Sequence, residues 1–459
     1  IFCTAVTHKQ TMIRHIAAIC AIVATVSSFQ APVKVPARPV PRSSPLFANK
    51  VDVSENAGRN GYGFMEWANY YGIGMENFQI QPIDGDVNWG VVATQPARAG
   101  DRALFVPTML RMTTPNIKQQ DFPNIGSIVS QKIDPKTSNG DIDLSNHFYL
   151  FLKVLQEYEL GEQSPYYQWL DALPRKFNTA VNFRDVETDC LPPFVKFLSK
   201  RDQFNYSLFT RTLREIDTPS ISDETKNNMD ITKWAFNVVF TRAREAFGEA
   251  EIIPMSDMLN HASQPNVEVT WDNEGNVNIV FLRDVQPGEQ LFKCYGHPTN
   301  PSRLLATYGF HDTSPPATYC KMFPGVDPAD LPQDIKDMGF DYTTMVFYPE
   351  NGGISEQVWD VMLYQVLGQV DPSSQQQFYQ AHRSGDAQTK QQFHSHFLPQ
   401  TASALMSHID EMLGEISYCD QKLNSGQVFE NMQMIYNHNE VVRQTFMKVR
   451  SNLEQMVSQ

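Results

Sequence analysis

The sequence predicts an α+β fold: a mostly-β domain split by a helical insert and followed by an all-helical C-terminal domain. Three observations predict it. Apolar residues alternate in short strand-like runs at 78–83, 90–94 and 103–107, and strand-like runs return between 252 and 293. Between those blocks apolar residues recur at helical spacing. Beyond about residue 326 the chain becomes helix-rich, with many Gln and Met. Its 459 residues suffice for two or three domains of about 100–200 each.

The first fifty residues read as an address. Met12 precedes Arg14 and His15, then an apolar run over 16–26 and Ser27-Ser28. That is a signal-peptide layout, too short for a membrane span. Residues 1–11 then lie upstream of the expected start. Lys34, Arg38, Arg42 and Lys50 follow among Pro and Ser, with no acid before Asp52, the composition of a transit segment. The pair, with Phe29 near the junction, is similar to the bipartite plastid address of algae with secondary plastids. The expected location is the plastid stroma, with no membrane in the mature form; secretion followed by a linker, or a cytoplasmic location, are the alternatives.

A net charge of −14 argues against a broad nucleic-acid-binding face, which needs clustered Lys and Arg. The six cysteines show no C-x-x-C, so neither a zinc cluster nor a disulfide framework is indicated.

Residues 61–110 open the β domain. Phe64, Trp67, Ala68, Tyr71 and Ile73 share one face of a short entry helix ending at Gly72 or Gly74. Residues 111–232 carry the insert: Phe148, Phe151, Leu152 and Leu155 stand at i, i+3, i+4 and i+7, a core-facing stripe, and 138–141 reads as a loop. Residues 233–325 complete the β domain and hold the chemistry. A helix from Trp234 runs to Thr241 and Arg242, where cations favour the helix end. Asn260 and His261 follow Ile252, Ile253, Met255, Met258 and Leu259, so their polar groups are expected to be buried and to need partners. Residues 326–459 form the helical domain: Leu405, Ile409, Met412, Leu413 and Ile416 make one stripe, and Val442, Phe446, Val449, Leu453 and Met456 another. His382, His394 and His396 lack further acidic or cysteine ligands nearby, and no metal is expected.

Asn260-His261-Ala-Ser-Gln-Pro-Asn266, a strand pair, Pro287-Gly-Glu-Gln-Leu-Phe292, Tyr295-Gly296 and Tyr308-Gly309-Phe310 come in a fixed order over about sixty residues. This order resembles the C-terminal half of a SET domain, and more narrowly the branch of the Rubisco large-subunit lysine methyltransferases and their actin-histidine relatives. The resemblance implies an S-adenosyl-L-methionine-dependent protein-lysine N-methyltransferase. It places Asn260, His261, Phe310 and the Trp89-Gly90 main chain at the cofactor, and Tyr295 at its centre. Tyr308 becomes the second wall of the acceptor channel, and Thr241, Arg242 and Asp257 fall on the substrate side, with a loop cap as the alternative for Asp257. Asn266 becomes a structural pin. One departure stands out: Val87 and Asn88 replace the family's Glu and first Gly. The histidine-methylating relatives carry Trp before the Asp, where this chain has Ser256, which favours lysine; Arg244 matches neither branch. By the same resemblance the substrate is a non-histone protein presenting a lysine, Rubisco large subunit or aldolase among the candidates. A cofactor- or partner-binding protein without turnover, and a histidine methyltransferase, are the alternatives.

Overall fold

Strands and helices form where the apolar periodicity sets them. The computed structural model describes residues 49–75, 77–85, 88–133, 143–296, 300–312, 318–319, 331–340, 345–425 and 429–458. Residues 1–48 of the expected address, Val87 and the 138–141 loop lie outside the described residues.

The entry helix α1 (Gly61–Tyr70) is capped by Asn60, whose side chain accepts from the Gly63 N–H. Phe64, Trp67 and Ala68 are buried as expected; Tyr71 and Ile73 are buried too, but from the turn after the helix. β1 (Phe78–Asp84) and β2 (Asn88–Ala93) form an antiparallel pair, Phe78 opposite Ala93. β3 (Arg102–Val106) and β4 (Met112–Thr113) follow.

The insert is helical. In α2 (Leu144–Leu160) the stripe of Phe148, Phe151, Leu152 and Leu155 is fully buried. Each such side chain removed from water stabilises by about 1.5–3 kcal/mol. Phe148 meets Phe209 edge to face at 5.1 Å. α3 (Tyr167–Ala172) carries the buried Trp169, α4 (Pro193–Glu215) carries Phe209, and α5 (Met229–Arg242) returns the chain to the sheets.

The returning strands are β5 (Arg244–Ala246), β6 (Glu249–Ile252), β7 (Asn260–His261), β8 (Val267–Trp271), β9 (Val277–Phe281) and β10 (Phe292–Lys293). They build sheets ordered β3-β9-β8 and β4-β6-β5; the first joins a strand before the insert to two after it, and the second takes β4 from the start of the expected 111–232 insert, which therefore opens on a strand. β7 and β10 run parallel, with Asn260 opposite Phe292 and His261 opposite Lys293.

The C-terminal region is mostly helical. A small sheet, β11 (Thr318–Tyr319), β12 (Val346–Tyr348) and β13 (Gly353–Ile354), precedes α6 (Glu356–Val370), α7 (Pro372–Ser384), α8 (Ala387–Leu423) and α9 (Met432–Val457). Leu405, Ile409, Met412 and Ile416 are buried against Val442, Phe446, Val449 and Leu453 in one hydrophobic core that also takes Phe194, Val195 and Leu198 of α4. Met456, in the last turn of α9, is 50% exposed instead. His382 and His394 turn to the buried Asp360, His394 Nε2 at 2.8 Å from its carboxylate. Among the described residues no helix is long and apolar enough to cross a membrane.

Candidate functional site

The parallel β7–β10 contact sets the site, because it lays Asn260 and His261 beside the strand that leads into Tyr295. The corner is held by its own polar groups. Asn260 Nδ2 donates to the Trp89 carbonyl at 3.1 Å, which ties the corner to β2. The Asn266 side chain accepts from the Phe292 N–H at 2.7 Å and donates to the Gln290 carbonyl at 2.9 Å, the pinning role expected of it. Gly90 packs so closely here that a Cβ would stand 2.4 Å from Gln290 Nε2 and 3.1 Å from Asn260 Nδ2. A side chain at this position would have to push the ends of the Gln290 and Asn260 side chains aside.

Tyr295 is anchored twice. Its backbone N–H donates to His261 Nδ1 at 3.1 Å, and its hydroxyl donates to the Leu259 carbonyl at 2.8 Å. Its ring lies 4.8 Å from Tyr308 and 5.2 Å from His261, with Phe310 at 6.2 Å in an edge-to-face contact. Burial pushes the Tyr295 and Tyr308 phenols upward, Tyr295 well beyond the usual range. Both therefore stay protonated and uncharged at neutral pH. Asn260, His261, Tyr295, Tyr308 and Phe310 are thus brought together, with Trp89 and Gly90 behind Asn260.

On the other side, Arg242 Nη1 donates to the Asp257 carbonyl at 2.6 Å and lies 3.3 Å from its carboxylate. Trp169 Nε1 donates to the same carboxylate oxygen at 2.9 Å. Asp257 Oδ1, buried, has no hydrogen-bond partner. The Thr241 hydroxyl donates to Asn237 O one turn back in α5 at 2.7 Å.

Sequence reasoning passed over two residues. Trp169, in the insert, bonds Asp257 across 88 positions, and nothing local announces it. Lys293 is half-buried on β10 between two apolar neighbours, a signal that was available. Its ammonium donates to Ser256 O at 3.1 Å and lies 5.5 Å from the Tyr295 ring. Burial lowers Lys293 to about 8; Asp257 pulls it up, while Arg244 and Arg242 push it further down.

Several buried polar atoms here have no hydrogen-bond partner: His261 Nε2, Thr307 Oγ1, His311 Nδ1 and Asp257 Oδ1. His261 Nε2 does lie 3.3 Å from Asp312 Oδ2, close but off the line of a hydrogen bond. Orphaned polar atoms cluster where a ligand completes a site. Amide, imidazole and backbone carbonyl groups beside an aromatic wall suit a polar small molecule.

A SET domain family model matches residues 88–296. The actin-histidine N-methyltransferase of Gallus gallus is 24% identical over 264 residues, which are 54% of this chain and 42% of that relative. The chain thus spans less than half the length of that curated relative. The ribosomal lysine N-methyltransferase set10 of Schizosaccharomyces pombe is 23% identical over 191 residues, 39% of this chain and 33% of its own length. Among solved structures, Rubisco LSMT bound to AdoMet superposes with a TM-score of 0.62 at 16% identity, over 88% of this chain and 93% of that one. The SET domain of LSMT bound to lysine and AdoHcy gives 0.58 at 14% identity, over 86% and 91%.

Proposed function

We propose, since the chain carries a SET domain over residues 88–296, that it is an S-adenosyl-L-methionine-dependent protein N-methyltransferase with lysine as its acceptor. The observation that carries this is Tyr295, anchored by His261 and Leu259 and walled by Tyr308 and Phe310. The proposal extends to a plastid protein substrate, with Rubisco large subunit and aldolase as first candidates; the basic, acid-free residues 29–50 support the location.

A lysine ammonium has no lone pair to attack with, so the acceptor must first lose a proton. When bound, the donor supplies a methyl on a positive sulfonium, whose charge favours the neutral amine beside it. The chain's own task is orientation, in-line at about 3–3.5 Å. Tyr295 presents an uncharged phenol whose proton is committed to Leu259 O, so its oxygen lone pair is free to accept from the amine. Asp257 Oδ1, which has no hydrogen-bond partner, is left to accept a hydrogen bond from the substrate. Tyr308 and Phe310 exclude water along the channel.

A second reading, histidine as acceptor, is favoured by one observation: Arg242, Arg244 and Lys293 crowd the substrate side, and an imidazole is mostly neutral at pH 7. Labelled S-adenosylmethionine with a plastid extract tests all of this. Bands that vanish with Tyr295→Phe, and that yield methyl-lysine on hydrolysis, support the proposal; methyl-histidine supports the second reading. Cofactor binding with no labelled band would instead mark a binding protein without turnover.

A further inference from the structure

Two cations near Tyr295 stand outside the ion pairs there. Asp257 is paired with Arg242, and Glu251 with Arg111 at 2.7 Å. Lys293 donates to a neutral carbonyl, Ser256 O, and Arg244 lies 4.4 Å from the centre of the Trp271 ring. Neither forms an ion pair with a carboxylate among the described residues. Tyr295 and Tyr308 are phenols held uncharged and offer no counter-charge. The groups that act electrostatically on Lys293 are Asp257 from the Ser256–Met258 turn, Arg242 from α5 and Arg244 from β5, so cations outnumber the carboxylate. The buried Nε atoms of Arg242 and Arg244 have no hydrogen-bond partner.

We infer, resting on the methyl-transfer reading, that Lys293, with Arg244 behind it, is a specificity-determining residue whose ammonium bars a charged acceptor from the pocket beside Tyr295. An acceptor that arrives neutral, an imidazole or an amine already deprotonated, meets no such barrier. An ammonium entering the same partly dehydrated space is repelled by Lys293, and low polarity strengthens that repulsion. Lys293 itself shows the strain, since its surroundings lower it to about 8. Near that pH it sheds its charge and the barrier falls.

The experiment uses calorimetry on the full chain saturated with S-adenosylhomocysteine. The probes are Nα-acetyl-lysinamide and its uncharged isostere Nα-acetyl-norleucinamide. At pH 7 the norleucine probe is expected to bind at least about tenfold more tightly, the factor that one pKa unit of repulsion carries. Lys293→Met is expected to bring the ratio close to one, and Lys293→Arg to preserve it. A readout on the unmodified protein guards against a variant that fails to fold: raising the pH from 7 to 9 discharges Lys293 while the lysine probe stays mostly charged, so the ratio should narrow. Equal binding of the two probes at pH 7, or a ratio indifferent to both Lys293→Met and pH, overturns the inference and leaves the methyl-transfer reading standing. A chain that binds no S-adenosylhomocysteine overturns that reading and this inference with it.

Discussion

The Tyr295 backbone N–H donates to His261 Nδ1 at 3.1 Å, and this fixes the imidazole tautomer. With Nδ1 accepting, neutral His261 carries its proton on Nε2, which faces Asp312 Oδ2 at 3.3 Å. One ring thus orients the main chain of the central tyrosine and presents a donor on its far side. His261→Ala leaves the Tyr295 N–H without its acceptor, and an unpaired buried donor costs about 1–3 kcal/mol. The expected result is a lower urea midpoint together with weaker cofactor binding; an unchanged midpoint would show that the bond holds nothing.

Tyr295→Phe keeps the ring that packs on Tyr308 and removes only the hydroxyl that bonds Leu259 O. The variant should fold and bind cofactor nearly as well. Misplacing the reacting atoms by about 1 Å costs ~10²-fold, so single-turnover methyl transfer should fall by roughly that factor. A variant that transfers methyl at the unmodified rate would remove Tyr295 from the centre of the site.

Much of this site was legible because its residues fall within about sixty positions. Asn260, His261, Tyr295, Tyr308 and Phe310 were singled out from spacing and resemblance, and they do converge. The helical stripes were legible for a simpler reason: a period near 3.6 is enough to choose the buried face of α2, α8 or α9. What the sequence concealed were long-range polar contacts. Trp169 reaches Asp257 from the insert, and no local pattern encodes a bond across 88 residues. The Thr241 hydroxyl bond is of another kind: a helical Thr can return its hydroxyl to the carbonyl four residues back, and it does so here, which its place in the sequence does not announce. The small sheet β11-β12-β13 was missed among helical signals because its strands are only two or three residues long.

Asp257→Asn tests the buried ion pair. Arg242 would keep its bond to the Asp257 main-chain carbonyl but lose its counter-charge. Breaking one side of a buried pair costs about 3–5 kcal/mol, and the surviving main-chain bond should hold the loss near the low end. Arg242→Met should cost a similar amount, and the double variant less than the sum, because neither charge is then stranded. Denaturation midpoints of the three proteins decide it; strict additivity would show that the two side chains are not coupled.

Gly309→Ala should be severe. Gly309 sits between Tyr308 and Phe310 with φ +73, and a Cβ would stand 2.5 Å from the Asn178 main-chain carbon. The left-handed backbone alone costs an alanine roughly 1–2 kcal/mol, and the clash against rigid main chain adds to it. Tyr308 and Phe310 would both shift, so the variant should lose cofactor affinity as well as stability. Thermal unfolding and cofactor titration of one preparation check both effects, and a loss confined to neither would refute the packing argument.

Acid should unfold the chain earlier than its carboxylates alone dictate. His147 and His438 are both buried, and burial lowers each to about 4 from an ordinary 6.5. His438 bonds Ser302 through Nε2 at 3.0 Å and Asn439 through Nδ1 at 3.2 Å, contacts that a neutral ring satisfies on both sides. The folded state therefore binds these protons less readily than the unfolded state does. Where the unfolded state binds more protons, stability rises with pH. The stabilisation is thus complete above pH 6.5 and drains away as the pH falls from there towards 4. A depression of that size is worth on the order of 3 kcal/mol per ring. Most carboxylates take up protons below about pH 4.5, so the histidines dominate the window from 6.5 to 5, with Asp202, Glu245 and Glu249, which burial raises, as exceptions. Urea midpoints should fall steadily across that window, and His438→Gln, which carries no titrating ring, should flatten part of the slope. Identical midpoints at pH 7 and pH 5 would mean that neither ring is held neutral by the fold.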